Sequence, residues 1–147
     1  MRDLHRALIE IVSAMNRPQR DDDLIREAGI SLDRALFRPL IAVERLGPIG
    51  IVDLAARVGL DYTTISRQVA RLEDFGLVAR RANAADRRVK EAVITGKGKA
   101  LTDLIDAARE RMARKIFASW EEQDIEDLVR LMCRFAEAFS EEAKGEG

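Results

Sequence analysis

Apolar residues recur every three or four positions along most of this 147-residue chain, which predicts a mainly helical fold. The first stripe predicts a helix over residues 3–16 that ends before Pro18. Residues 17–23 are polar and contain this proline, so they are expected to form a connection, with a short helical turn before Gly29. Ser31 is expected to cap the next helix. The buried face of that helix is expected to contain Leu32, Leu36, Leu40, Val43 and Leu46.

Residues 49–76 have the spacing of two short helices joined by a tight turn, which is typical of a helix-turn-helix. Gly59 is expected to end the first helix in a left-handed conformation, and Leu60 to fill the turn. Asp61 is placed to cap the second helix. One apolar row of that helix should face inward: Ile65, Val69 and Leu72.

A β-hairpin is predicted directly after this second helix, which ends at Gly76. Residues 77–80 and 89–93 have strand character, and a polar turn bounded by Asn83 and Asp86 separates them. Asp86 is expected to pair with a nearby arginine and hold the tip of the hairpin in shape. Five basic residues crowd the hairpin: Arg80, Arg81, Arg87, Arg88 and Lys90.

Two long helices are predicted after the hairpin. Thr95 should cap the first, which carries an apolar stripe as far as Phe117. The second begins near Glu121 and continues through Phe139, and the tail from Lys144 is expected to be disordered.

The distribution of charge matters more than the formal net charge of −1. Residues 57–99 contain ten Lys/Arg and five Asp/Glu, whereas residues 119–147 contain three and nine. A basic middle and an acidic end suggest one surface that faces polyphosphate and another that faces solvent or a partner. A solvated surface with accidental clustering of charge is the alternative.

Several classes of protein are disfavoured. The chain has no run of eighteen apolar residues and no signal-peptide pattern, so a soluble cytoplasmic protein without a membrane partner is expected. A single cysteine, Cys133, and a single histidine, His5, provide neither an internal disulfide nor a zinc site, and no metal or cofactor is expected. The Gly-Lys-Gly-Lys segment after Thr95 lacks Walker spacing. Without a nucleophile–base pair, an enzyme is not expected.

The exposed face of the helix over residues 61–75 is suited to DNA. Its small hydroxyl side chains allow close approach, and Arg67 can reach a guanine edge. Tyr62 can contact a phosphate or a thymine methyl, and Arg71 is expected to contact a phosphate. Hairpin arginines suit the negative potential of a narrow minor groove. The alternative is that these side chains are merely exposed to solvent and do not contact DNA. The candidate DNA-binding residues are Tyr62, Thr63, Thr64, Ser66, Arg67, Arg71, Arg80, Arg81, Arg87, Arg88 and Lys90.

The apolar stripes at both ends of the chain are more helix surface than a unit of this size can bury alone, so they predict a homodimer. The candidate dimerisation residues are Leu4, Leu8, Ile11, Val12, Met15, Ile125, Leu128, Val129, Met132, Phe135 and Phe139. Met112, Phe117 and Trp120 could line an aromatic-ligand pocket, although core packing is the simpler interpretation.

These motifs together closely resemble the MarR family of bacterial transcriptional regulators. The resemblance is carried by the helix-turn-helix from Leu54-Ala55-Ala56-Arg57-Val58-Gly59 to Ser66-Arg67, and by the exit Leu72-Glu73-Asp74-Phe75-Gly76-Leu77-Val78. It is also carried by the wing signature, an aspartate and an arginine followed by Thr-x-x-Gly. Those positions are Asp86, Arg88, Thr95 and Gly98.

The resemblance covers essentially the whole chain. It implies a mainly α fold with a small β-hairpin wing: a winged helix-turn-helix over about residues 47–98, flanked by dimerisation helices over about 1–16 and 100–143 of a single domain, 1–147. It further implies a homodimer on a pseudo-palindromic operator in double-stranded DNA. The helix from Asp61 to Phe75 would enter the major groove, and Arg88, with Arg87, would reach the minor groove.

Many members of this family respond to small aromatic or phenolic ligands bound between the dimerisation and DNA-binding parts. Others respond to oxidants through a cysteine near the first helix, and this chain has none there. The predicted function is therefore a sequence-specific, homodimeric repressor released by a small apolar or aromatic effector. A ligand-independent DNA binder and a winged-helix module that binds protein through its acidic last helix are the alternatives. A sensing role for Cys133 or His5 is left open.

Overall fold

The structure is a computed structural model, and it describes residues 1–145. Over that range the chain forms seven helices and three strands, so the expected mainly α fold with a small sheet is confirmed. The chain divides into two compact units, Met1–Arg109 and the segment from Glu110 onward. The elements are α1 (Arg2–Met15), α2 (Pro18–Glu27), α3 (Arg34–Leu46), β1 (Ile49–Gly50), α4 (Ile51–Val58), α5 (Tyr62–Asp74), β2 (Val78–Ala82), β3 (Lys90–Ile94), α6 (Gly96–Ile116) and α7 (Glu122–Gly145).

The prediction of a polar connection over residues 17–23 is wrong, because α2 begins at Pro18. Proline suits the first position of a helix, where its missing N–H would have no partner and its fixed φ is already helical. Leu24 and Asp21 of α2 are buried. This helix is therefore held by packing that its charged sequence does not reveal.

The cap of α3 is Asp33 and not Ser31. Asp33 Oδ1 accepts the backbone N–H of Ala35 at 2.9 Å, and the helix begins at Arg34. Most of the predicted buried face is confirmed, since Leu36, Leu40 and Val43 have no exposed surface and Leu32 is partly buried. Leu46 is exposed, because it is the last residue of the helix.

The core of the first unit forms where α3, α4 and α5 meet the sheet. As predicted, Ile65, Val69 and Leu72 on α5 are fully buried. Gly59 ends α4 with a φ of +72°, the left-handed conformation that glycine adopts readily. Leu60 is exposed and does not fill the turn; its N–H donates to the carbonyl of Ala55.

The predicted hairpin is confirmed, and the structure adds a third strand. The strand order is β1-β3-β2, and both pairings are antiparallel. Arg80 pairs with Ala92 across β2 and β3, and Ala92 also pairs with Ile49 of β1. The short β1 therefore holds the return strand of the hairpin against the start of α4.

The predicted long helix after the hairpin is confirmed as α6, and Ile105 and Ala108 on it are buried in the first unit. In the second unit, the ring of Phe117 meets that of Trp120 edge-on, with centroids 5.1 Å apart. Trp120 is itself exposed, so the core-packing interpretation does not hold for it.

Helix α7 extends further than expected. It continues through Gly145, so disorder from Lys144 is wrong for residues 144 and 145, and residues 146 and 147 lie outside the described range. Cys133 on this helix is exposed. No helix within residues 1–145 is both long enough and apolar enough to cross a bilayer.

Candidate nucleic-acid interface

The first turn of α5 is fixed by its cap. Asp61 Oδ1 accepts the N–H of Thr64 at 2.7 Å, and Oδ2 accepts the Thr64 hydroxyl at 2.9 Å. These two bonds hold the pKa of the Asp61 carboxyl below its ordinary value. The predicted cap is confirmed, and the Thr64 hydroxyl, a candidate DNA contact, is already engaged within the helix.

The exposed face of α5 presents polar and basic side chains to solvent. Tyr62, Thr63 and Arg67 are exposed, and Ser66 is half-buried. Arg67 makes no ion pair or side-chain hydrogen bond with any of residues 1–145. Its guanidinium therefore stays available to an external acceptor, and it offers five donors in a planar fork.

The tip of the hairpin is built by two short side chains. Asn83 Oδ1 accepts the N–H groups of Ala85 and Asp86 at 2.8 and 2.9 Å. Asp86 Oδ1 accepts both the N–H and the Nε–H of Arg88 at 3.1 Å. The expected Asp86–arginine pair is thus present, and the Arg88 bonds hold the pKa of Asp86 below its ordinary value.

The Arg88 side chain is 91% exposed although it is paired with Asp86. Arg81, Arg87 and Lys90 are exposed on the same hairpin. The sequence pattern marks Asn83 only as a boundary of the turn. The sequence does contain a signal for its structural role, because an asparagine in a turn readily accepts hydrogen bonds from backbone N–H groups two or three residues later.

Arg80 differs from the other four basic residues of the hairpin. Its side chain is only 29% exposed and lies against α5. Nη2 donates to the carbonyl oxygen of Ser66 at 3.4 Å, and Nε lies 3.7 Å from Glu73 Oε1. This arginine therefore joins the hairpin to α5, whereas the others face solvent.

The segment from Thr95 to Gly98 joins the exit of α5 to the start of α6. The Thr95 hydroxyl donates to the carbonyl of Gly76 at 2.6 Å and accepts the N–H of Gly98 at 3.0 Å, which confirms the predicted cap. The Thr95 N–H donates to the carbonyl of Leu77, and Lys97 Nζ donates to that of Phe75. Thr95 and Lys97, at the start of α6, thus satisfy the carbonyls of three consecutive residues beyond α5.

A second candidate site is a cleft of about 520 Å³ in the first unit. Its apolar wall includes Phe37 and Leu24, and its rim includes Arg20, Arg38 and Arg109. Arg109 lies over the Phe37 ring at 5.9 Å, and burial lowers the pKa of its guanidinium. The cleft therefore combines an apolar surface with several cations.

The cleft was not predicted from the sequence, because its residues come from four separate elements. Arg38 of α3 connects this helix to two of the others, α1 and α2. Its Nε donates to the buried Asp21 at 3.1 Å and its Nη2 to the carbonyl of Met15 at 3.3 Å. Among residues 1–145 no group of His, Cys, Asp and Glu side chains is placed to hold a metal ion.

Comparisons with known proteins agree with this geometry. Residues 32–90 match the sequence model of the MarR family. The HTH-type transcriptional regulator YxaD of Bacillus subtilis (strain 168) is 31% identical over 109 residues, which cover 74% of this chain and 76% of YxaD. The chain belongs to the MarR family.

Solved structures of MarR proteins share the fold. A MarR family protein from Bacillus stearothermophilus matches with a TM-score of 0.75 and 20% identity, covering 94% of each chain. The crystal structure of MarR matches with a TM-score of 0.69 and 25% identity, over 97% of this chain and 94% of that one. MarR-family members are DNA-binding transcriptional regulators that act as dimers, not enzymes. This chain is therefore a DNA-binding transcriptional regulator.

Proposed function

We propose that this MarR-family regulator is a homodimeric repressor whose α5 enters the major groove of a pseudo-palindromic operator. The observation that carries this proposal is Arg67, an exposed guanidinium that lies on a capped helix and has no partner among residues 1–145. Around it lie the small side chains of Thr63 and Ser66, which leave room for close approach to base edges.

The hairpin supplies the second part of the proposed interface. Asp86 fixes the backbone at Arg88 and one edge of its guanidinium, so that the exposed side chain leaves the tip in a defined direction. A narrow minor groove attracts such a cation without base-specific hydrogen bonds. Arg88, with Arg87, would therefore raise affinity for DNA of any sequence. The proposed DNA-binding unit spans about residues 47–98.

Exposed apolar side chains on α1 and α7 support the proposed dimer. Neither helix has a buried residue. Val12 on α1 is 53% exposed, and Val129 and Phe139 on α7 are 57% and 62% exposed. A second copy of the chain would remove these side chains from water, and each fully buried one would contribute about 1.5–3 kcal/mol.

Selection of genomic fragments by the purified protein tests this function. We expect the selected fragments to share an inverted repeat and to bind more tightly than scrambled copies. With about six to ten phosphates neutralised, the logarithm of affinity should fall against the logarithm of salt concentration with a slope of about −5 to −9. Failure to retard any fragment at moderate salt would support the protein-binding alternative.

A reporter gene placed behind the selected fragment separates repression from activation. Expression should fall when the protein is present. A rise in expression would contradict the repressor assignment and leave the DNA-binding assignment intact.

The cleft beside Phe37 supports the proposed effector and narrows its class. An aromatic or aliphatic acid would place its apolar part on Phe37 and Leu24 and its carboxylate near Arg20 or Arg109. A carboxylate there would also compete with Asp21 for Arg38, which holds the end of α1 next to α3. Effector binding would thus alter the attachment of a dimerisation helix and, through it, the spacing of the two hairpins.

Benzoate and the uncharged benzamide are a matched pair of probes for this cleft. Calorimetry should show that benzoate binds more tightly, and that Arg109→Gln weakens benzoate more than benzamide. Benzoate should also release operator DNA. Binding of benzoate without any change in DNA affinity would favour the ligand-independent alternative.

A further inference from the structure

Arg71 follows Arg67 by one helical turn on α5, yet its guanidinium is engaged inside the protein. Arg71 Nη2 donates to Asp33 Oδ2 at 3.0 Å, and about half of each side chain is exposed. Arg67 has no such partner within residues 1–145. The two arginines of α5 that the sequence assigns to DNA therefore differ: a phosphate would have to displace Asp33 from Arg71, but no side chain from Arg67.

Asp33 uses its two carboxylate oxygens for different purposes. Oδ1 accepts the N–H of Ala35 and caps α3, whereas Oδ2 accepts Arg71. The cap requires an acceptor oxygen but no charge, because asparagine and serine cap helices about as well as aspartate. The negative charge of Asp33 is therefore not needed for the cap, and it pairs with Arg71 of α5. The adjacent Arg34 donates to Asp22 at 3.1 Å.

A DNA phosphate and a carboxylate bind a guanidinium in the same way, through two oxygens that face the planar fork. An exposed ion pair is weak, so a phosphate can replace Asp33. This replacement still breaks the ion pair between Arg71 and Asp33, and it leaves the Asp33 carboxylate unpaired near the negatively charged DNA. We propose that Asp33 competes with DNA phosphates for Arg71 and thereby lowers the affinity of this regulator for DNA of any sequence. This rests on the proposed placement of α5 on DNA.

Such a competitor suits a protein that must leave its operator. Lower intrinsic affinity means that a smaller loss of contacts is enough for release. Asp33 is a position that the sequence pattern did not connect with DNA, since it lies 38 residues before Arg71.

Asp33→Asn and Asp33→Ser test the proposal, because both keep a capping oxygen and remove the charge. The dissociation constant should fall roughly two- to fivefold for each winged unit, the range that one exposed ion pair supports. The fall should be similar on a selected fragment and on its scrambled copy, because a phosphate contact carries no sequence information. Thermal melting of both variants checks that the cap is retained.

Arg71→Ala provides the double-mutant cycle. In the Arg71→Ala background, Asp33→Asn should change DNA affinity no more than Asp22→Asn does. Asp22→Asn is the control because it also removes one negative charge, from the neighbouring pair with Arg34. An equal gain with and without Arg71, or no gain in either Asp33 variant, would overturn the proposal.

The cycle also separates this proposal from the proposed function. If Arg67→Ala and Arg71→Ala both leave DNA binding unchanged, α5 does not lie on DNA and both proposals fail. If Arg67→Ala and Arg71→Ala weaken binding but the Asp33 variants bind like the wild type, only the competition fails.

Discussion

Alanine at position 98 should disrupt the junction of α5, the hairpin and α6. A Cβ at Gly98 would lie 2.0 Å from the carbonyl oxygen of Leu77 and 2.6 Å from Ile94 Cδ1. The Ile94 methyl can rotate away, but the Leu77 oxygen belongs to the main chain and accepts the Thr95 N–H at 3.1 Å. Overpacking costs about 1–3 kcal/mol, and a weakened hydrogen bond adds about 1 kcal/mol. We therefore expect a destabilisation of about 2–4 kcal/mol.

Urea unfolding at a fixed protein concentration measures this loss, and Gly96→Ala is the matched control. A Cβ at Gly96 has no atom within 4 Å, so the same added methyl group should be neutral or stabilise α6 by up to about 1 kcal/mol. Affinity for DNA should fall in Gly98→Ala at temperatures where both variants are folded, because the exit of α5 must shift. Equal stability of the two variants would refute the argument from close approach.

Three further predictions follow from the same contacts. Arg88→Ala should weaken binding to matched and scrambled DNA alike, whereas Arg67→Ala should mainly reduce the preference for one base pair by about 1–3 kcal/mol; equal losses on both DNAs for Arg67→Ala would contradict its proposed role. Phe139→Glu should shift the protein towards monomer in sedimentation velocity and weaken DNA binding, and an unchanged dimer would argue against the α7 face. The Thr64 bonds hold the folded pKa of the Asp61 carboxyl below its ordinary value, so its contribution to stability is present above the ordinary pKa and is lost as the pH falls through the lowered one; melting curves of wild type and Asp61→Asn should therefore converge as the solution is made more acidic, and a constant difference would refute this linkage.

The part of the interface that is local in sequence was predictable. Helix α5 is determined by three local signals: the cap at Asp61, the left-handed turn at Gly59, and the helical repeat of buried residues that starts at Ile65. Each signal depends only on residues within one or two helical turns. The Asp86–Arg88 pair is local in the same way, since the partners are two positions apart.

The remaining features depend on contacts between distant residues. Helix α2 was missed because its sequence is mostly charged, and it is stabilised by the burial of Leu24 and by the Asp21–Arg38 pair, whose partners are 17 residues apart. Basic composition identified Arg71 and Arg80 but not their acidic neighbours. Whether an arginine faces solvent or a carboxylate is decided by how the helices pack, and the helical repeat alone does not contain that information.

Hydroxyl-radical footprinting of the protein on a selected genomic fragment shows how many winged units lie on the DNA. We expect two protected half-sites whose centres lie about 10 base pairs, or a multiple of that, apart. Each half-site should be flanked by minor-groove protection that disappears in Arg88→Ala. Protection of a single half-site, or a footprint that Arg88→Ala leaves unchanged, would contradict the proposed pair of winged units.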